Sequence, residues 1–261
     1  MKRLLRRVLG KRAVKRPAAA RRIGLRDVHS DDTFIVSFPR SGNTWVRFLI
    51  AAMCHPGEEI SFRNIERYVP DIHKSRGSIR FLARPRFIKS HTPCFDAFPR
   101  FVYVLRDGRD AMISYYHYAL GRKSFRGSLR AFVESEGAAR YGTWSAHAMG
   151  ALKRAEEHAD DVLLVRYEDL VFCPLDQASR IEDFCRPGVR PEVIEQAVLD
   201  SRFPSLQEIE RRHGGELDEL TELRFFRCGV PGQWQRAGIE EQLAPFLEES
   251  RETLSILGYA K

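Results

Sequence analysis

Apolar and polar residues follow one another in blocks along this chain, and three of the apolar blocks are too short to be helices. Phe34-Ile35-Val36 with Phe38, Phe101-Val102-Tyr103-Val104-Leu105 and Val162-Leu163-Leu164-Val165 are runs of bulky or β-branched residues, each ended by a polar turn. Continuous apolar runs of that length predict buried strands. Phe87-Ile88 is a shorter pair leading into Lys89-Ser90-His91-Thr92-Pro93, a strand end followed by a polar turn. From Trp45 the apolar positions Trp45, Phe48, Leu49, Ala52 and Met53 keep a helical period. Further helices are predicted from about Ala111, over 144–159, over 175–185, over 191–199 behind Pro191, and over 239–257 as a closing amphipathic helix. Strands alternating with helices predict a single α/β domain with a central parallel sheet flanked by helices.

The remaining stretches are less regular. Residues 56–86 are mixed in polarity, rich in Arg and interrupted by Pro56, Pro70 and Pro85, which predicts loops and short helices that cover a site or receive a ligand. The charged segment from about 205 to 222 reads as mobile or solvated. Residues 225–234 are loop-like, with Gly229, Pro231 and Gly232, yet carry Phe225, Phe226 and Trp234. Such a loop either brings Arg227 and backbone N–H groups to a ligand or is pinned by aromatic packing.

The chemistry gathers at the strand ends. Pro39 closes the first run, and Arg40-Ser41-Gly42-Asn43-Thr44 lies at a predicted helix N-terminus, where unpaired N–H groups and the helix dipole favour an anion. The dipole supplies about 0.3–1 kcal/mol when exposed and ~2 kcal/mol when partly buried, so Arg40, Ser41 and Thr44 have to add to it. The same turn also fits an ordinary strand–turn–helix capped by Asn43 or Thr44. Lys89 and His91, two apart on an extended segment, point the same way, although His91 alone fits a loop or hydrogen-bonded structural histidine better. Arg106-Asp107-Gly108-Arg109-Asp110 is a second polar turn into a helix, with Ser114 one helical turn beyond Asp110. Local pairing of Arg106 and Arg109 with Asp107 or Asp110 is the alternative there, worth ~0–1 kcal/mol at a surface. In an open α/β sheet ligands bind outside the carboxyl ends of the strands, so these turns can converge.

Composition narrows the classes. The 261 residues, 43% hydrophobic, suit one globular domain. No run reaches the ~18 apolar residues of a membrane span, and the N-terminus lacks the apolar core of a signal peptide, so a cytoplasmic location is expected. Cys54, Cys94, Cys173, Cys185 and Cys228 are odd in number and form no C-x-x-C pair, which argues for reduced thiols over a disulfide framework or structural zinc. The net charge of +8 is concentrated: residues 1–26 hold eleven of the 43 Lys and Arg and no acid, leaving 32 basic against 35 acidic residues in 27–261. A body with a net charge of −3 does not suit a basic nucleic-acid groove. The chain divides into a basic tail, 1–26, and a domain, 27–261. The tail sets Leu4, Leu5, Val8 and Leu9 against Arg3, Arg6, Arg7 and Lys11, which suits either an anionic membrane surface or a solvated, disordered segment.

Laid side by side, the strand-end turns resemble the cytosolic-type sulfotransferases, which move a sulfuryl group from 3′-phosphoadenosine 5′-phosphosulfate (PAPS). Phe38-Pro39-Arg40-Ser41-Gly42-Asn43-Thr44-Trp45 is similar to the family's 5′-phosphosulfate loop, usually Y-P-K-S-G-T-T-W. Lys89-Ser90-His91 is similar to its K-T/S-H segment, and Arg106 with Ser114, leading into Tyr115-Tyr116-His117, to its 3′-phosphate motif. Tyr167-Glu168-Asp169-Leu170, Ser201-Arg202-Phe203 and Arg227-Cys228-Gly229 with Gly232 and Trp234 resemble three more nucleotide-contacting segments, in the family's order. Six segments in sequence over residues 34–234 make the resemblance strong.

The resemblance implies a P-loop-like sulfotransferase fold. It implies a 5′-phosphate on Ser41, Gly42, Asn43 and Thr44, a 3′-phosphate at Arg106, Ser114 and Arg227-Cys228-Gly229 with Ser201 nearby, and adenine by Trp45, Tyr167 and Phe203. Arg40 and Lys89 would stabilise the leaving oxygen, His91 would take the acceptor proton, Ser114 would hold a catalytic cation aside, PAP would be the product, and no metal is required. The acceptor is a small molecule, glycan or lipid carrying a hydroxyl or amine. Three departures stand out: Arg40 replaces the usual Lys, Cys228 replaces the Lys of R-K-G, and the dimer motif K-x-x-x-T-V-x-x-x-E is not seen after Trp234, so no dimer mode is predicted. A P-loop kinase or NTPase fits less well, because its loop needs two glycines and a lysine.

Overall fold

A computed structural model describes residues 28–260 apart from 76–78, 186, 218–222 and 237; the basic tail lies outside the described residues. Four strands form one sheet: β1 (Thr33–Val36), β2 (Phe87–Ser90), β3 (Arg100–Leu105) and β4 (Val162–Arg166). Their order is β2-β1-β3-β4 and all pairs are parallel. The register sets Val36 beside Ser90 and Tyr103, and Leu105 beside Arg166, so all four carboxyl ends open on the same edge.

The sheet is covered on both faces, as parallel sheets are, because strand residues alternate in direction. Phe34, Val36, Phe101, Tyr103 and Leu105 enter one core with α3 (Gly108–Gly121), α5 (Trp144–Glu157) and α11 (Ala244–Ile256). Ile35, Val102, Val104 and Val165 enter the other with α1 (Asn43–Cys54), α7 (Pro174–Cys185) and α8 (Pro191–Ser201). Short helices α2 (Ile65–Tyr68), α4 (Leu129–Val133), α6 (Tyr167–Phe172) and α10 (Ile239–Gln242) complete the connections. Among the described residues no helix is long and apolar enough to cross a membrane. All five cysteines are free thiols.

Several expected boundaries move, each for a physical reason. The helix after β3 begins at Gly108 because the Asp107 side chain accepts the Arg109 N–H and caps it. The predicted helix 144–159 ends at Glu157 and continues only as a 3₁₀ turn, Ala159–Asp161. The closing helix is two helices, broken at Leu243 with Pro245 opening the second. The segment from 205, expected to be mobile or solvated, forms α9 (Phe203–His213) in its first half. Pro204 suits its first turn, Leu206 and Ile209 bury one face, and the Glu210 carboxylate accepts the N–H groups of Phe225 and Phe226.

Candidate active site

Two left-handed residues turn the chain from β1 into α1. Gly42 has φ 102, and a Cβ there would sit 2.7 Å from the Tyr167 ring, so both backbone and space demand glycine. Arg40 has φ 64, a conformation that costs a side-chain-bearing residue about 1–3 kcal/mol. Asn43 does not cap the helix: its Nδ2 donates to the carbonyls of Ile35 (3.0 Å) and Ser90 (3.2 Å), tying the ends of β1 and β2 together. No side chain occupies the helix cap, so the first N–H groups of α1 stay open toward the turn.

Two arginines converge on this loop. Arg40 donates from Nε to Ser114 Oγ (3.3 Å) and from Nη2 to the Phe225 carbonyl (2.7 Å), with its guanidinium 4.0 Å from the Phe225 ring centre. Burial pushes Arg40 down to about 10, which leaves it charged at neutral pH. Arg106 donates to the Arg40 carbonyl (3.1 Å) and lies 4.1 Å over the Tyr167 ring. Arg106 Nε is buried with no hydrogen-bond partner among the described residues, a donor that an anion at this loop can take up. The local pairing weighed for both arginines is present: Arg109 pairs with Asp107 (2.7 Å) and stacks on Trp234, and Arg106 approaches Asp110 at 4.0 Å.

The end of β2 carries Lys89 and His91. Lys89 Nζ lies 2.9 Å from the Asp71 carboxylate, both side chains nearly buried. Burial alone would raise Asp71, but the charge and hydrogen bond of Lys89 hold it well below the usual carboxylate range. His91 Nδ1–H donates to the Ser37 carbonyl (2.8 Å), which leaves Nε2 with the ring's free lone pair. Burial first, then the Lys89 charge, push His91 down to about 3, so it is a neutral base at physiological pH. Its backbone is fixed as well: His147 Nε2–H donates to the His91 carbonyl (3.0 Å), and the Tyr103 hydroxyl donates to His147 Nδ1 (2.8 Å).

One cavity joins these groups. Arg40, Lys89, His91, Arg106 and Ser114 line it together with Gly42, Asn43 and Thr44. Trp45 and Tyr167, rings 5.7 Å apart and edge-on, line its other end with Phe203 and the Arg227-Cys228-Gly229 loop. Gly229 has φ 71, and a Cβ there would collide with the Phe203 ring at 2.6 Å, so only glycine lets the loop close. Asp110 anchors the following segment, accepting the N–H groups of Gly232 (2.6 Å) and Trp234 (3.1 Å). Two expected contacts do not line the cavity: Ser41 is buried beneath the loop, and Ser201 Oγ donates back to the Ala197 carbonyl (2.6 Å).

Sequence reasoning missed Asp71, Glu216, Tyr118 and Tyr141 in the cavity wall. Burial would raise the Glu216 carboxyl, but Lys89, Lys74 and Arg47 together pull it down to about 2. Arg47 gave the one available signal: a cation amid the apolar residues of α1, fully buried and 2.6 Å from Glu66.

The sulfotransferase domain family matches residues 30–255. Cytosolic sulfotransferase 17 of Arabidopsis thaliana is 25% identical over 255 residues, spanning 82% of this chain and 71% of its own. Sulfotransferase 1B1 of Mus musculus is 26% identical over 230 residues, spanning 78% and 76%. The solved structure of mouse sulfotransferase SULT7A1 complexed with PAP has a TM-score of 0.67 at 21% identity, covering 87% of this chain and 85% of that one. Retinol dehydratase in a complex with retinol and PAP has a TM-score of 0.66 at 19% identity, covering 87% and 82%, so both structures share the fold. A family match running from just before β1 into the last turn of α11 takes in every element that builds the cavity, and the chain belongs to the sulfotransferase domain family.

Proposed function

We propose that the chain transfers the sulfuryl group of PAPS to a hydroxyl or amine acceptor by in-line displacement, releasing PAP. The observation that carries this reading is the convergence of Arg40, Lys89, Arg106 and Ser114 with the neutral His91 in one cavity. PAP in the related solved structures supports the choice of donor.

Sulfuryl transfer, like phosphoryl transfer, asks mainly for positioning and for cations aimed at charge developing on the leaving oxygen. Arg40 and Lys89 supply those cations, and one such donor is worth about 10²–10³ in rate. His91 Nε2 takes the acceptor proton, a general-base contribution of roughly 10²–10⁴. Arg40 is a planar, permanently charged donor, so proton delivery to the leaving group falls to Lys89. The open N–H groups of α1, with Thr44, hold the 5′-phosphate, while Arg106 and Arg227 hold the 3′-phosphate and Trp45, Tyr167 and Phe203 enclose the base. The name of the Arabidopsis relative supports a cytoplasmic location.

Two measurements test the reading: PAP binding by calorimetry, and transfer of labelled sulfate from PAPS into a lysate of the source organism with identification of the labelled product. We expect PAP to bind and one acceptor class to be labelled. Failure of PAP to bind the intact chain overturns the proposal.

A further inference from the structure

Lys89 is held in the cavity by an ion pair, and the carboxylate that holds it lies outside the segments that resemble the family's motifs. Residues 70–72 run alongside β2: the Lys89 N–H donates to the Pro70 carbonyl (2.8 Å), and the Ile72 N–H donates to the Lys89 carbonyl (3.0 Å). This bridge sets Asp71 directly beside Lys89, and the two side chains close the 2.9 Å ion pair. The carboxylate is itself fixed, because Asp71 Oδ1 accepts the His73 N–H (2.8 Å). The Asp71 N–H donates to Glu66 Oε2 (2.8 Å), and Glu66 Oε1 meets Arg47 of α1. A continuous polar chain therefore runs from the phosphate-loop helix through Arg47, Glu66 and Asp71 to Lys89.

An ammonium held by an internal carboxylate cannot at the same time give its full charge to a bound donor. We propose that Asp71 is a positioning residue that holds Lys89 back from the leaving oxygen of PAPS until an acceptor is seated, and so suppresses sulfuryl transfer to water. The inference rests on the PAPS-dependent reading above. Asp71 and His91 line the same cavity, so an acceptor at His91 enters the space beside Asp71 and competes for its carboxylate. Ser114 restrains Arg40 in parallel, so each candidate catalytic cation has its own partner. In the suppressed reaction the oxygen of water bonds to sulfur and the bond from sulfur to the 5′-phosphate oxygen breaks. Its electron pair stays on PAP, sulfate is released, and both protons of the water pass to solvent.

The test needs no acceptor. Sulfate release from labelled PAPS in acceptor-free buffer is measured for the wild type, Asp71→Asn, Lys89→Ala and the double variant, with PAP binding by calorimetry on each. Asparagine keeps an oxygen for the His73 N–H while losing the charge. We expect Asp71→Asn to release sulfate at least fivefold faster than wild type, with PAP binding retained, and the double variant to fall back to the Lys89→Ala rate. Release at the wild-type rate, or an increase that survives in the double variant, overturns the inference. Absence of PAP binding to the wild type overturns the underlying reading instead. If Asp71→Asn does not fold, Asp71→Ser, whose hydroxyl can still accept from His73, is read by the same two criteria.

Discussion

Arg40 and Ser114, 74 residues apart in the chain, meet across 3.3 Å, with the arginine donating from Nε to the hydroxyl. The other side of the same guanidinium is held by the Phe225 carbonyl, so the cation is fixed by groups from two distant parts of the sequence. Arg40→Ala is expected to lower kcat with PAPS by about 10²–10³. Arg40→Lys keeps the charge but loses the two-sided hold and the stacking on Phe225, and is expected to recover only part of that loss. Steady-state assays at saturating PAPS decide; an unchanged kcat in Arg40→Ala would leave Lys89 carrying the charge alone.

Removing the imidazole should separate binding from chemistry. His91→Ala is expected to bind PAP within about threefold of wild type while losing roughly 10²–10⁴ in transfer rate. Turnover at the wild-type rate removes His91 from the reaction.

Stability should depend on pH through the buried histidines. Burial lowers His91 to about 3 and His147 to about 4, from 6.5 when unfolded. The unfolded chain then binds more protons than the folded one below about pH 6.5, so stability is fully present above that value and is lost as pH falls through about 4 toward about 3. Asp71 and Glu216, held low by cations, add a loss of the same sign at still lower pH. Urea midpoints taken from pH 7 downward should decrease steadily, and a flat profile across that range contradicts the assignment.

Gly42→Ala places a methyl group against Tyr167 and forces a left-handed backbone on alanine. We expect a loss of about 1–3 kcal/mol in stability together with weaker PAP binding, read by urea denaturation and calorimetry. A variant as stable as wild type with normal affinity shows that the turn relaxes.

Asp110 accepts hydrogen bonds from two backbone N–H groups more than 120 residues away. Its removal should cost about 1.5–3 kcal/mol per bond and free the segment that carries Arg227. Asp110 also lies 4.0 Å from Arg106, so Asp110→Ala is expected to weaken PAP binding about tenfold through the Arg227 segment and Arg106 together. Lowered stability with unchanged affinity confines Asp110 to the fold.

Legibility in the sequence followed the physics of each element. β1, β3 and β4 were readable because every position in them but the terminal Thr33, Arg100 and Arg166 is apolar. The last two residues of β2 were not, since Lys89 and Ser90 are buried as strand residues only because Asp71 neutralises one and the sheet covers the other. The helix α9 hid behind its charges: Leu206 and Ile209 are its only fully buried positions, and Pro204 was its clearest start signal. The cavity cations Arg40, Lys89 and Arg106 stood at strand ends and could be named. Asp71 and Glu216 could not, because each acts on residues that only the folded chain brings near; Asp110 was legible as a local partner of Arg106, but not as the acceptor for Gly232 and Trp234.

The contact between Arg40 and the Phe225 carbonyl also sets an order of events during synthesis. The phosphate loop leaves the ribosome early, but the carbonyl that steadies its arginine lies 185 residues further on, and the Asp110 clamp closes only once Gly232 and Trp234 have emerged. A growing chain can build the sheet around β1 and β3 long before it can grip a nucleotide. On the PAPS-dependent reading proposed above, a chain truncated before Phe225 would then lack the groups that steady Arg40 and the Arg227 segment, and with them its nucleotide affinity.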